Sequence, residues 1–271
     1  MPANCKLLVL DVDGTLIGRG AYPTPRVTQA IHTARQKGIA VALGTGRASE
    51  GCYHLLKHLC LDKLHIFFDG AAVVEWPSND IIYLQALPPP ACQRLIELAR
   101  QYELFLEIYA HDFYFTEQDG YLVEQQRQKL QITPLITNLM SLVGRIKIVK
   151  GQLLATTPAE KKRAELICQE MDPLCKMSWS LDPSNNIYFI NAISRSVSKG
   201  DTLHTVADYL GVALDQIIAI GDSFNDLPIF EVVGTSIAMG HAPEPLKQLA
   251  TWVAPSVEED GVAVAIEEFI L

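Results

Sequence analysis

Two carboxylates placed two residues apart, where an apolar run ends, are the groups in this 271-residue chain best placed to do chemistry. Lys6 to Leu10 leads directly into Asp11-Val12-Asp13-Gly14-Thr15-Leu16. Along extended backbone Asp11 and Asp13 fall on the same side, and like charges that close repel unless a cation or a shared proton relieves them. A Mg²⁺ ion is the natural relief. Gly14 lets the backbone turn away sharply and leaves the amides after Asp11 free to face an anion. On its own, the hexapeptide also reads as a polar turn that closes a strand.

Other polar groups stand at comparable places. The apolar strand Ile39 to Leu43 runs into Gly44-Thr45-Gly46-Arg47, and the strand Gln216 to Ile220 runs into Gly221-Asp222-Ser223-Phe224-Asn225-Asp226. In open parallel sheets, ligands bind beyond the carboxyl ends of the strands, near the switch point of the topology. Asp11, Asp13, Thr45 and Asp222 therefore converge, and Lys199, opening a helix packed on the sheet, reaches the same mouth. Carboxylates from two strands make a hard-oxygen site suited to Mg²⁺.

The elements that must hold these residues follow a βα rhythm. Thr24 as N-cap, Pro25 in the first turn and Gly38 beyond the end frame a helix bearing Val27, Ala30, Ile31 and Ala34. A strand apolar throughout, such as Ile39 to Leu43, is buried on both faces, as in a helix-covered parallel sheet. A helix over about 49–59 and a strand at His65 to Phe68 follow. Pro77-Ser78-Asn79-Asp80 then reads as a hairpin turn between two short strands. Pro88-Pro89-Pro90 opens a helix, strands are expected near 104–108, 113–116 and 144–149, and Thr157-Pro158-Ala159-Glu160 caps another helix. Strands near 177–181 and 186–190 complete an α+β insert, after which alternation resumes to the end. The expectation is a doubly wound, Rossmann-like and mostly parallel α/β core, built from 1–82 and 192–271, with an α+β cap domain at 83–191.

Composition narrows the function classes. With 49% hydrophobic and 20% charged residues the chain is an ordinary globular sequence. Its formal charge of −9 disfavours nucleic acid and anionic membrane as partners. No apolar run approaches a membrane span, and Met1-Pro2-Ala3-Asn4 does not begin a cleavable leader, so the expected location is cytoplasmic. Six scattered cysteines without CxxC spacing read as reduced, packed thiols.

Taken together, the four motifs Asp11-Val12-Asp13-Gly14-Thr15, Thr45 before Gly46-Arg47, Lys199, and Gly221-Asp222-Ser223-Phe224-Asn225-Asp226 resemble the haloacid dehalogenase superfamily of phosphohydrolases. The long insert and the Thr-Gly-Arg and Ser-Lys-Gly wording look most like its Cof-type branch with a type-IIB cap. The resemblance implies Mg²⁺-dependent hydrolysis of a small phosphorylated metabolite, such as a sugar phosphate, through an aspartyl-phosphate on Asp11. It implies Asp13 as general acid and base, and a metal held by the Asp11 carboxylate, the Asp13 backbone carbonyl and Asp222. Thr45, Lys199 and Asn225 would then meet the phosphoryl group, with Gly46 and Asp226 in support. The insert would act as a lid that carries substrate selectivity. The same chemistry also serves a phosphomutase or phosphotransferase, and a silent phosphate-binding regulator would keep the fold without turnover.

Simpler readings stand beside these roles. Thr45 also suits a helix cap, Lys199 a solvated helix start, and Asp226 a favourable first-turn charge. Arg47 reads as structural, pairing with a carboxylate near the site. Cof-type chains generally show Asn-Gly after the third strand, whereas Asp69-Gly70 stands here, and Asp69 reads as a turn residue before glycine. His111, Asp112, Arg145 and Lys147 are polar positions of the insert, read as exposed loop or strand residues.

Overall fold

The computed structural model describes residues 5–111, 113–130, 132–182 and 185–271. Met1 to Asn4 and Asp112, both considered above, lie outside the described residues. The chain forms two compact units, one comprising 1–47, 52–83 and 198–271, the other 48–51 and 84–197. The divisions fall at Tyr83/Leu84 and Val197/Ser198 rather than at 82/83 and 191/192.

The first unit starts with β1 (Leu7–Leu10), α1 (Pro25–Gln36) and β2 (Ala40–Leu43). Thr24 accepts a hydrogen bond from the Val27 amide, and Pro25 occupies the first turn, so α1 begins where its cap dictates. A turn of 3₁₀ helix at Glu50–Cys52 leads into α2 (Tyr53–His58), shorter than the helix expected over 49–59. Then come β3 (Lys63–Phe67), β4 (Ala72–Trp76) and β5 (Asp80–Leu84). These three form their own sheet, in which β3 and β4 run antiparallel; β3 touches the parallel sheet only at the bridge Gly44↔Ile66.

The second unit contains α3 (Pro89–Gln101), β6 (Phe105–Tyr109), β7 (Tyr114–Thr116), α4 (Tyr121–Leu130), β8 (Leu135–Ile136), β9 (Lys150–Ala155), α5 (Pro158–Met171), β10 (Lys176–Asp182) and β11 (Ile187–Ile193). Its six strands pair in the order β10-β11-β9-β6-β7-β8. β11 runs on to Ile193, which places the division later than expected. The segment 144–149, expected as a strand, is irregular: Leu87 donates its amide to the Ile148 carbonyl, and the strand starts at Lys150. α4, rich in glutamine, was not expected at all. A core of Leu95, Ile96, Leu106, Ile108, Leu153, Ile167 and Ile190 joins α3 and α5 to this sheet. Each such buried side chain contributes about 1.5–3 kcal/mol. His111 is buried, unlike Arg145 and Lys147, which are exposed as anticipated.

The chain returns to the first unit with α6 (Lys199–Leu210), β12 (Ile217–Gly221), α7 (Leu227–Phe230), β13 (Thr235–Ala238), α8 (Glu244–Leu249), β14 (Trp252–Val253) and α9 (Gly261–Phe269). Its main sheet is parallel throughout, in the order β14-β13-β12-β1-β2, and in register from Leu7↔Ile217 to Leu10↔Ile220. Leu7, Val9, Ala42, Ile217 and Ala219 face a core completed by Leu203 and Val206 of α6. No helix among the described residues is long and apolar enough to cross a membrane.

Candidate active site

From β1 the chain of the first unit steps outward to β2, and on its return enters on the other side of β1 and steps outward again through β12, β13 and β14. The switch point therefore lies between β1 and β12. Asp11 follows β1 there, its amide donating to the Ile220 carbonyl at 3.0 Å. Asp222 follows β12. The two carboxylates are brought to one crevice by the parallel pairing of central strands.

Lys199 fills the space beneath them. Ser198 caps α6 by accepting from the Asp201 amide at 3.1 Å, which makes Lys199 the first helical residue. A cation is unfavourable at a helix N-terminus, and this one is only 1% exposed. Its Nζ donates to Asp11 Oδ1 and to Asp226 Oδ1, each at 2.7 Å. Burial opposes its charge, yet Asp11, Asp226 and Asp69 hold the ammonium above the usual lysine range. The solvated-lysine reading therefore fails.

Both oxygens of Asp226 are engaged. Its Oδ1 accepts from Lys199 and its Oδ2 from the amides of Asp222 and Ser223, both at 3.1 Å. It braces the loop after β12 and holds the lysine in place. Asp222 Oδ1 accepts from the Thr15 hydroxyl at 2.9 Å. Gly14, at φ +85°, passes so close to Asp222 that a Cβ there would collide with its carboxylate.

Asp11, Asp222 and Asp226 each offer an oxygen within 4.8 Å of the others. Burial pushes the Asp11 carboxyl well above the usual carboxylate range; Lys199 pulls it back, and Asp226 and Asp222 push it up again. One ammonium among three carboxylates leaves a local excess of negative charge. With both Asp226 oxygens engaged, the oxygens of Asp11 and Asp222 left over from Lys199 and Thr15 are hard donors suited to a small divalent cation. The residues fit such an ion.

Asp13 faces away from this cluster. Arg47 donates from Nε to its Oδ2 at 2.7 Å and from Nη2 to its Oδ1 at 2.6 Å. The Asp13 side chain is 56% exposed, open to an incoming molecule as the others are not. Thr45 is buried and does not cap α2; its Oγ1 accepts from the Arg47 amide at 3.1 Å, so its own hydrogen remains to donate.

Asp69 is more than a turn residue. It does adopt left-handed backbone, at φ 55°, yet it is buried, its amide donates to the Thr45 carbonyl, and its Oδ1 accepts from Asn225 Nδ2 at 2.7 Å. A Cβ on Gly46 would press on the same carboxylate. Asn225 Oδ1 in turn accepts from the Ser223 hydroxyl at 2.5 Å. Both ends of the amide are thus taken by neighbours.

The haloacid dehalogenase-like hydrolase family matches residues 8–266, nearly the whole chain. The chain belongs to this family. A 5-amino-6-(5-phospho-D-ribitylamino)uracil phosphatase of Bacillus subtilis is 26% identical over 270 residues, covering 97% of each chain. The pyridoxal phosphate phosphatase of Escherichia coli is 23% identical over 276 residues, covering 98% of this chain and 99% of its own. A solved haloacid dehalogenase-like hydrolase of Bacteroides thetaiotaomicron superposes with a TM-score of 0.85 at 25% identity, over 97% of this chain and 99% of that one. This hydrolase is a Cof-type member of the phosphatase kind, and its second unit is α+β.

In this haloacid dehalogenase-like hydrolase, Asp11, Lys199, Asp222 and Asp226 form one hydrogen-bonded cluster through Lys199 and the loop after β12. Thr45 and Asp13 meet through Arg47, and Asn225 is tied to Asp69. Sequence reasoning did not single out Thr15 or His241, whose Nε2 lies 3.6 Å from Asp222 Oδ2. His241 follows the carboxyl end of β13, where ligands gather in such sheets, and that position was the available signal.

Proposed function

We propose that this hydrolase removes phosphate from small phosphorylated metabolites with Asp11 as nucleophile and Mg²⁺ as its cation. The observation that carries the reading is the buried Lys199 bridging Asp11 and Asp226 at 2.7 Å, because it charges and orients a carboxylate that burial alone would neutralise. The names of the two relatives, both phosphatases of small phosphate esters, support the substrate class.

In this scheme Asp11 attacks phosphorus, the bond to the leaving oxygen breaks, and that oxygen takes a proton from Asp13. Asp13 then takes a proton from water as the water displaces Asp11, releasing inorganic phosphate and restoring both residues. Lys199, the Thr45 hydroxyl and the amides after Asp11 stabilise phosphoryl oxygens as charge moves between them. Asp11, the Asp13 carbonyl and Asp222 would hold Mg²⁺, which supplies Lewis-acid neutralisation of the phosphate charge.

The test is phosphate release from a panel of phosphorylated metabolites with saturating Mg²⁺, for the native chain and for Asp11→Asn. Release by the native chain and loss by at least three orders of magnitude in the variant are expected. Near-native turnover by Asp11→Asn would remove Asp11 from the chemistry. Isomer formation without phosphate release would replace hydrolysis by transfer.

A further inference from the structure

The sheet of the second unit ends on one side in β10, which among the described residues has no strand on its outer flank. A bare edge is a template for another chain, and proteins usually blunt it by shortness, proline, bulges or charge. The other edge is short, since β8 spans only Leu135–Ile136. By contrast, β10 pairs with β11 one to one over seven residues, from Lys176↔Ile193 to Asp182↔Ile187, without a bulge. It contains neither proline nor glycine.

Met177, Trp179 and Leu181 lie opposite Ala192, Ile190 and Tyr188, so they share the face that carries the core under α5. Trp179 is nevertheless 39% exposed and Leu181 47% exposed. Beside them, α5 and β10 leave an open groove of about 540 Å³ lined by Lys161, Cys168, Trp179, Leu181 and Tyr188.

The order of residues in β10 is self-complementary. Run antiparallel to a second copy about Trp179, Lys176-Met177-Ser178-Trp179-Ser180-Leu181-Asp182 sets Lys176 opposite Asp182, Met177 opposite Leu181, Ser178 opposite Ser180 and Trp179 opposite itself. An isologous contact has this form, with residue i meeting j and j meeting i. Moving the two-fold by one residue along the strand loses both Lys–Asp pairs, and moving it by half a residue sets the apolar positions opposite polar ones. The centre is then aromatic and the charges stand at the rim, as interfaces favour. We propose that the chain forms a two-fold dimer through antiparallel pairing of β10 with β10 of a second copy, which joins two six-stranded sheets edge to edge.

Sedimentation equilibrium on the full chain over a concentration series tests this. The expected species has twice the 29.9 kDa chain mass. Lys176→Asp places like charges opposite each other at both ends of the contact and raises the dimer dissociation constant about tenfold; Asp182→Lys does the same. An equimolar mixture of these two variants pairs every aspartate with a lysine and restores native affinity, whereas Trp179→Lys weakens the dimer in every combination. A native chain that remains at 29.9 kDa throughout overturns the proposal. So does a dimer indifferent to both charge changes, or a mixture no tighter than its components.

Discussion

Arg47 grips Asp13 with two parallel hydrogen bonds, at 2.7 and 2.6 Å, while leaving the carboxylate open to solvent. A guanidinium fork fixes the plane of a carboxylate as well as its distance. Burial opposes the charge on Arg47, but the paired Asp13 holds it above the usual arginine range. In the proposed scheme the pair sets where a proton is delivered, and it contributes little to holding the fold together.

Arg47→Met keeps much of the side-chain volume and removes the fork. Turnover is expected to fall about tenfold, because misplaced proton-transfer groups lose orientation. Stability in a urea titration should change by less than ~1 kcal/mol, since Asp13 stays solvated. A variant that unfolds readily but turns over normally would invert the assignment.

Lys199→Met leaves Asp11 and Asp226 buried without their cation. Breaking a buried pair costs about 3–5 kcal/mol at pH 7, and activity is expected to drop at least a thousandfold. Both carboxyls are already raised by burial, so without Lys199 they bind protons more readily in the folded state than in the unfolded state. The stability deficit should therefore shrink as pH falls from 7 to 5. Denaturation at the two pH values measures this, and a deficit independent of pH would contradict it.

Asp69→Asn retains an oxygen that accepts from Asn225, and asparagine tolerates the left-handed backbone at φ 55°. Asp69→Ala loses the acceptor and leaves the Asn225 amide unheld. The first variant should keep kcat/KM within about threefold. The second should lower it about tenfold and cost roughly 1–3 kcal/mol for the unsatisfied group. Equal effects of the two would mean that the charge of Asp69, rather than its hydrogen bond, is what counts.

His65 is fully buried in β3, and its Nδ1 accepts from the Leu43 amide at 3.0 Å, so the ring is neutral with its proton on Nε2. Burial pushes its pKa down to about 3. Below about 6.5 the unfolded chain takes up a proton that the folded chain refuses, so stability falls with falling pH until the folded value is reached. His65→Asn keeps an acceptor for Leu43 and does not titrate. The stability difference should therefore move against the native chain by about 1.4 kcal/mol per pH unit below about 6. Parallel stability curves for the two proteins would refute this.

Much of the first unit was legible because its central strands are unbroken apolar runs ending in polar residues. β1, β2 and β12 stand where periodicity put them, and Thr24-Pro25 and Ser198 start α1 and α6 through their caps. The second unit was harder, since apolar content and strand pairing part company there. Ile148 and Val149 are buried without strand pairing, while the true strand β9 opens with buried polar Lys150 and Gln152. Gln152 and Tyr109 meet across the sheet, and Tyr109 donates to buried Glu107. Side-chain networks of this kind hide a strand from any hydrophobic pattern. In the site, residue type showed where charge would gather but not who would hold whom. The burial of Lys199, the engagement of both Asp226 oxygens and the hold of Asp69 on Asn225 depend on neighbours far away in the chain.

Lys199 lies 188 positions after Asp11, and between them lies the whole of the second unit. During synthesis the strand bearing Asp11 must therefore wait, apolar and unpaired on its β12 side, until the insert and α6 have left the ribosome. The reactive centre is among the last features this polypeptide acquires, and a chain truncated before α6 would carry both N-terminal aspartates with neither the ammonium nor the second carboxylate.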